Sequence, residues 1–386
     1  MTQRPCPPSR LALHASLPAL AALLLLLLSS ARAQHVCEKD DVRVRREIRD
    51  LSDDERETFI DAIITLHRTP STLGNFSQYE EFTYIHKLDP WSSHHDNRFF
   101  PWHRKIVYDF ETRLRAINKS IAIPYWDWTR DAHHVHTAPV FTPQWFGGSG
   151  ATADDDIQCV PDGRFSQAEG NFSLHFAPDF STNVELSGPE CLRRGIWLNG
   201  TGRDVILRFP SMREVEFVFQ LEEYVPFRKV LEVFHWYPHV IVGGRGRGSW
   251  DRSGGELNSF ASSNDPLFYV HHSFIDKLYH RWQQQHGHDN YSGNATLSPW
   301  GVPVAAVSNL TEMCVEYRES DITDAERDAH EAAYNASFPN PLHIPPTWRR
   351  VLGSAMVRRM EQEILAVQPH TVDGSNGPAR QLLRGR

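Results

Sequence analysis

Four histidines, His86, His94, His95 and His103, fall within eighteen residues that also hold Trp91, Phe99, Phe100 and Trp102. Each imidazole in such a poorly hydrated wall has two ring nitrogens to satisfy, and a cluster that gained protons together would repel itself. A metal ion resolves both problems by taking one lone pair from each neutral ring. A second set stands at His235 and His239, whose four-residue spacing puts two imidazoles on one helix face, with His271 and His272 further on. Two sets, each completed from a separate element, imply two ions with three imidazoles apiece. Nitrogen-only ligation favours copper, although zinc also accepts three histidines. A mononuclear zinc hydrolase needs only one triad, whereas two are present here, and no general-base Glu of a His-Glu-x-x-His helix accompanies them. His133, His134 and His136 lack aromatic enclosure and read as a solvated loop.

The elements that must position these rings are mostly helical. Apolar spacing predicts a helix from Val42 to Leu66, with a capping box at Ser52 and Glu55 and a stop at Pro70. Tyr79, Phe82 and His86 share one helical face, so His86 points inward. Pro90 and Pro101 forbid one continuous helix between them and put His94 and His95 on a loop. The helical pattern resumes at Trp102 with Ile106, Val107, Phe110 and Leu114, so His103 lies near a helix start. The IPYWDW segment, 123–128, reads as an aromatic core turn, and 137–203 as a long surface excursion. Helical periodicity returns over Ser211–Phe234 with a break at Pro226, and Pro238 is tolerable only if His235 begins a helix. Asn264 or Asp265 then caps a helix whose inward stripe is Phe268, His272, Ile275 and Tyr279.

Composition bounds the rest. Arg4 and Arg10, the apolar run Leu20–Leu28 and Ala31-Arg32-Ala33 make residues 1–33 a secretory signal. Removing it takes Cys6 and leaves Cys37, Cys159, Cys191 and Cys314, an even set with three possible pairings. Cys159 with Cys191, closing one loop-rich insert, and Cys37 with Cys314, tying the ends together, are favoured. Eight Asn-x-Ser/Thr sequons, at Asn75, Asn118, Asn171, Asn199, Asn290, Asn294, Asn309 and Asn335, fit a secreted glycoprotein. A formal charge of −8 without a basic stripe argues against nucleic acid, and no later segment has the roughly 20 apolar residues of a membrane span. Two further helical patterns, 325–334 and 348–367, form a C-terminal extension over 291–368, followed by a disordered tail at 369–386.

Taken together, the motifs resemble those of the type 3 copper proteins, and within them the short secreted tyrosinases. One carrier of the resemblance is His86, His94 and His103 with Pro101, Trp102 and Arg104. The other is His235, His239, Gly243, Gly244, Asn264, Asp265, Pro266, Phe268, His271, His272 and Asp276, with PYWDW at 124–128. The resemblance implies a mainly α, four-helix bundle over 34–290 holding a dinuclear copper site, with long irregular loops and few short strands. It implies as ligands His86, His94, His103, His235, His239 and His272, the last preferred over His271 and His94 preferred over His95. It implies oxidation of catechols to ortho-quinones with O2 and ortho-hydroxylation of monophenols, with Phe268 lining a dry pocket for the phenol ring. Catechol oxidation alone and hemocyanin-type oxygen carriage are the alternatives for the same copper pair. Relatives with strong monophenol activity carry Asn after the first ligand of the second site, where Trp236 stands here; Glu232 is the candidate acidic partner for a proton-accepting water. Ser92 replaces a Cys that some relatives link to the second ligand, so no such thioether forms.

Overall fold

The computed structural model describes residues 37–320 except 133, 151–157, 197–207, 245–253, 288–290, 292 and 294–295, together with a few positions up to 332. The proposed signal, most of the C-terminal helical patterns and the tail lie outside the described residues.

Six helices carry the argument: α1 Asp53–Arg68, α2 Glu81–Leu88, α3 Phe99–Ile117, α4 Met212–Val218, α5 Tyr224–Gly243 and α6 Leu267–His286. Helix α3 packs along α6 and against α1, and α5 touches both α3 and α6. The predicted capping box forms at the start of α1: Ser52 Oγ accepts from Glu55 N–H and Glu55 Oε2 accepts from Ser52 N–H. The helix nevertheless begins at Asp53 and not at Val42. Upstream, strand Arg43–Arg45 pairs in parallel with Val315–Tyr317. Its alternation turns Arg43 and Arg45 inward, where both donate to the Glu111 carboxylate of α3.

Arg45 also reaches Asp276 of α6 at 3.2 Å, Arg104 of α3 reaches the same carboxylate at 2.5 Å, and Tyr317 donates to it at 2.8 Å. These groups are almost wholly buried, so each charge depends on the others for compensation. The network fixes α3 relative to α6, the two helices that carry His103 and His272.

Helix α5 departs from expectation in a second way. It runs unbroken from Tyr224 through His235 to Gly243 with Pro238 inside it, so His235 does not begin the helix. Pro226 sits in its first turn, where a missing N–H costs nothing, and the break precedes it between α4 and α5. Pro238 gives up one bond to the Phe234 carbonyl, a cost of roughly 3 kcal/mol. Burial of Phe227, Val230, Leu231, Val233, Phe234, Tyr237, Val240, Ile241 and Val242 along the same helix outweighs it.

The stretch 137–196 is not a simple surface excursion. Phe141, Phe146, Phe165, Phe172, Leu174, Phe176 and Leu192 are buried, and Phe172 stacks on His67 at 4.1 Å. Cys159–Cys191 and Cys37–Cys314 are both formed, as favoured. The residues from 296 to 317 form a two-stranded hairpin, a 3-10 turn and the strand paired with Arg43–Arg45. This part of the expected helical extension therefore belongs to the main fold, held there by the Cys37–Cys314 bond and by Tyr317. The IPYWDW aromatics are core, and His134 and His136 are exposed.

Candidate metal centre

Two histidine groups meet in the helical interior: His86, His94 and His103 in one, and His235, His239, His271 and His272 in the other. Within each group a ring nitrogen of every member lies within 4.8 Å of the others. His86 comes from the end of α2 and His103 from the first turns of α3. His94 caps a one-turn helix, Pro90–Ser93, so it is on a loop as expected. His235 and His239 are one turn apart on α5, and His272 is on α6. The groups abut: the His103 and His272 rings are parallel at 4.2 Å, and His94 approaches His235 at 5.9 Å.

Backbone carbonyls orient the rings. Nδ1 of His86 faces the Phe260 carbonyl at 2.8 Å, His94 that of Pro90 at 3.0 Å, and His103 that of Phe99 at 2.8 Å. His235 faces the Glu232 carbonyl at 3.3 Å and His239 the Leu257 carbonyl at 2.6 Å. A carbonyl only accepts, so each Nδ1 carries the hydrogen and each Nε2 keeps its lone pair. Nε2 of His86, His103 and His235 is buried with no protein partner, the condition that a metal ion would relieve. Nε2 of His239 and of His272 are 3.2 Å apart, matching the ~3.3 Å between two nitrogens on one tetrahedral ion at about 2.0–2.1 Å. The residues present therefore fit metal ions.

Electrostatics keep the rings neutral. Burial pushes the pKa of His86 down to about 4 and those of His94 and His239 to about 3, with neighbouring histidines adding to each shift. His103, His235, His271 and His272 are lowered well below the ordinary value, also mainly by burial.

His271 differs in chemistry from the rest. Its Nδ1 receives the Trp128 indole N–H at 3.2 Å. An indole N–H can only donate, so a neutral His271 carries its hydrogen on Nε2 and has no lone pair to offer there. This orientation disfavours His271 as a ligand.

Of the other residues singled out from sequence, Phe268 is wholly buried and packs on His272 at 4.2 Å and edge-on to His86 at 5.3 Å. Glu232 is buried as well; its carboxylate accepts from Arg228 and from the His95 backbone N–H, tying α5 to the His94 loop. Trp236 is half-buried, with the exposed His95 ring lying over it at 6.0 Å. His95 has φ of 58°, left-handed backbone that a residue with a Cβ adopts at a cost. Sequence reasoning missed the carbonyls of Phe260, Leu257, Pro90 and Phe99, since any residue type supplies one.

The family described as the common central domain of tyrosinase matches residues 76–285, a span of more than half the chain that covers both histidine groups. The tyrosinase of Streptomyces glaucescens is 29% identical over 262 residues, covering 64% of this chain and 85% of that protein. The tyrosinase of Streptomyces antibioticus is 28% identical over 281 residues, covering 67% and 92%. Among solved structures, a polyphenol oxidase variant from Thermothelomyces thermophila aligns with a TM-score of 0.58 at 22% identity, over 78% of this chain and 95% of that one, which shows a shared fold. The chain belongs to the tyrosinase family, whose members hold a dinuclear type 3 copper site.

Proposed function

We infer that the chain is a copper-dependent phenol oxidase that converts catechols to ortho-quinones with O2 and also hydroxylates monophenols ortho to their OH. The observation that carries this reading is the pair of neutral imidazole groups meeting at His103 and His272. His86, His94 and His103 hold one copper, and His235, His239 and His272 the other. When bound, the copper pair supplies the binding and reduction of O2, four electrons from two catechols giving two waters and two quinones.

The protein's own groups supply the rest. Phe268 fills the space between the rings and keeps water from that side of the site. The half-buried His94, the exposed His95 and Trp236 mark the side from which a phenol approaches. Glu232 serves as the acidic partner of a proton-accepting water, held in place by Arg228. Export belongs to the same proposal, supported by two disulfides and by exposed sequon residues Asn75, Asn118 and Asn171. Cleavage after Ala33 would be read by N-terminal sequencing of the secreted protein.

Copper analysis followed by catechol and tyrosine assays tests the function. Two coppers per chain with quinone formed from both substrates is the expected result. Quinone from catechol alone would restrict the activity to catechol oxidation, and reversible O2 binding without quinone would mean a carrier. Fewer than two coppers in a fully loaded sample would overturn the reading.

A further inference from the structure

Lys87 follows His86 on α2, yet its side chain is only 1% exposed. Lysine is seldom buried to this degree without a partner. Its Nζ donates to Asp179 Oδ1 at 2.6 Å and to the Ala177 carbonyl at 3.1 Å. The backbone carbonyl of Asp179 accepts from Phe260 N–H at 2.9 Å, and the Phe260 carbonyl faces His86 Nδ1 at 2.8 Å. The contacts close a ring that starts at His86, passes through Phe260 and Asp179, and returns through Lys87 to the residue beside His86.

Three separate pieces of chain meet in that ring: α2, the loop after strand Ser173–Leu174, and the connection between α5 and α6. Each is anchored independently. Ser181 donates its backbone N–H and its hydroxyl to Asp179 Oδ1 at 3.1 and 2.9 Å. Asn264 Nδ2 donates to the Phe176 carbonyl at 2.9 Å, and Cys159–Cys191 holds the far end of the same loop.

The Asp179 side chain is 44% exposed, so the ion pair as such adds little stability. A Met or Leu would fill the same space without bringing a charge into the interior. What such an apolar side chain would not provide is the double link to Asp179 and Ala177, through which Lys87 is joined to the residue that accepts from Phe260 N–H.

We propose that Lys87 and Asp179 are positioning residues for His86, locking its ring so that Nε2 faces the first copper. The proposal rests on His86 being a copper ligand. Orienting partners of this kind change metal affinity by about 10–100-fold. Lys87→Met and Asp179→Ala, which remove the donor and the side-chain acceptor of that link, should therefore weaken copper binding at the first site by about tenfold or more and leave the second site loaded.

Wild type and variants are loaded with Cu(II), challenged with a graded chelator, and assayed for copper per chain and by paramagnetic resonance. Wild type should hold two coppers as a magnetically coupled, silent pair. The two variants should fall to one, with the signal of an isolated Cu(II), and Lys87→Arg should recover part of the loss. Lys277→Met is the control, because Lys277 is a similarly buried lysine paired with Glu319 at 2.8 Å and outside both histidine groups. It should lower thermal stability and still keep two coppers. Retention of both coppers by Lys87→Met and Asp179→Ala would overturn the proposal, as would loss of both coppers together in step with unfolding. A wild type that never binds two coppers refutes the copper reading itself, and is recognised before any variant is made.

Discussion

The separation of His271 from His272 can be tested directly. Both rings are wholly buried, adjacent in sequence, and have centroids 4.9 Å apart, so proximity alone does not choose between them. The Trp128 indole does, by holding His271 Nδ1 as an acceptor and leaving the hydrogen on Nε2. His271→Gln keeps an oxygen able to accept from the indole, so the copper count should stay at two per chain. His271→Leu leaves a buried N–H without an acceptor, which costs about 1–3 kcal/mol. The original bond is long, at 3.2 Å, which places the expected loss near the lower end of that range. His272→Gln removes a ring nitrogen lying 3.2 Å from His239 Nε2 and should drop the count to one copper. Elemental analysis reads the copper and denaturant unfolding reads the stability. If His271→Gln loses copper while His272→Gln keeps two, the tautomer reasoning is wrong and the ligand is His271.

Three further outcomes are expected. Burial raises the pKa of Glu256 from 4.5 to about 8 against the opposing pull of Arg193. The folded state then favours the neutral acid, so the stability tied to this group is complete below pH 4.5 and is lost as the pH rises through 8, with an upper limit of about 5 kcal/mol; urea unfolding from pH 5 to 9 should show a flatter profile for Glu256→Gln than for wild type. Asp276→Ala strips Arg104 and Arg45 of a shared buried carboxylate and should cost about 3–5 kcal/mol in denaturant unfolding. Trp236→Asn should raise the ratio of tyrosine to catechol turnover, measured as quinone formed per unit time; an unchanged ratio would remove Trp236 from the account of substrate preference.

Much of the site could be read from sequence because its chemistry is carried by side chains at fixed spacing. His86, His94, His103, His235, His239 and His272 converge as the two sets suggested, and the favoured cysteine pairs are formed. The capping box at Ser52 was legible for the same reason: two particular residues three apart make two particular hydrogen bonds. Features that depend on distant partners were not legible. Arg43–Arg45 looked like the front of a helix because its partner strand lies some 270 residues away. Pro238 looked like a helix boundary because a local rule counts the lost hydrogen bond and cannot see how much apolar surface α5 buries. The buried phenylalanines between 137 and 196 follow no period, since their loop is shaped by what it packs on. The burial of Glu232 depends on the His94 loop folding over it.

The pairing of Arg43–Arg45 with Val315–Tyr317 also sets a clock for the protein's synthesis. At about 5–20 residues per second, the partner strand is made on the order of 15–60 s after the first one. For most of that interval Arg45 can meet Glu111 alone; Asp276 and the rest of α6 follow late in it, and Tyr317 comes last. The two histidine groups, carried in part by those helices, thus come together only after residue 272 has been made, and Cys37 can find Cys314 only later still. A nascent chain that ends before His235 carries only half of the site, so the pair of histidine groups exists only once α6 has joined the fold.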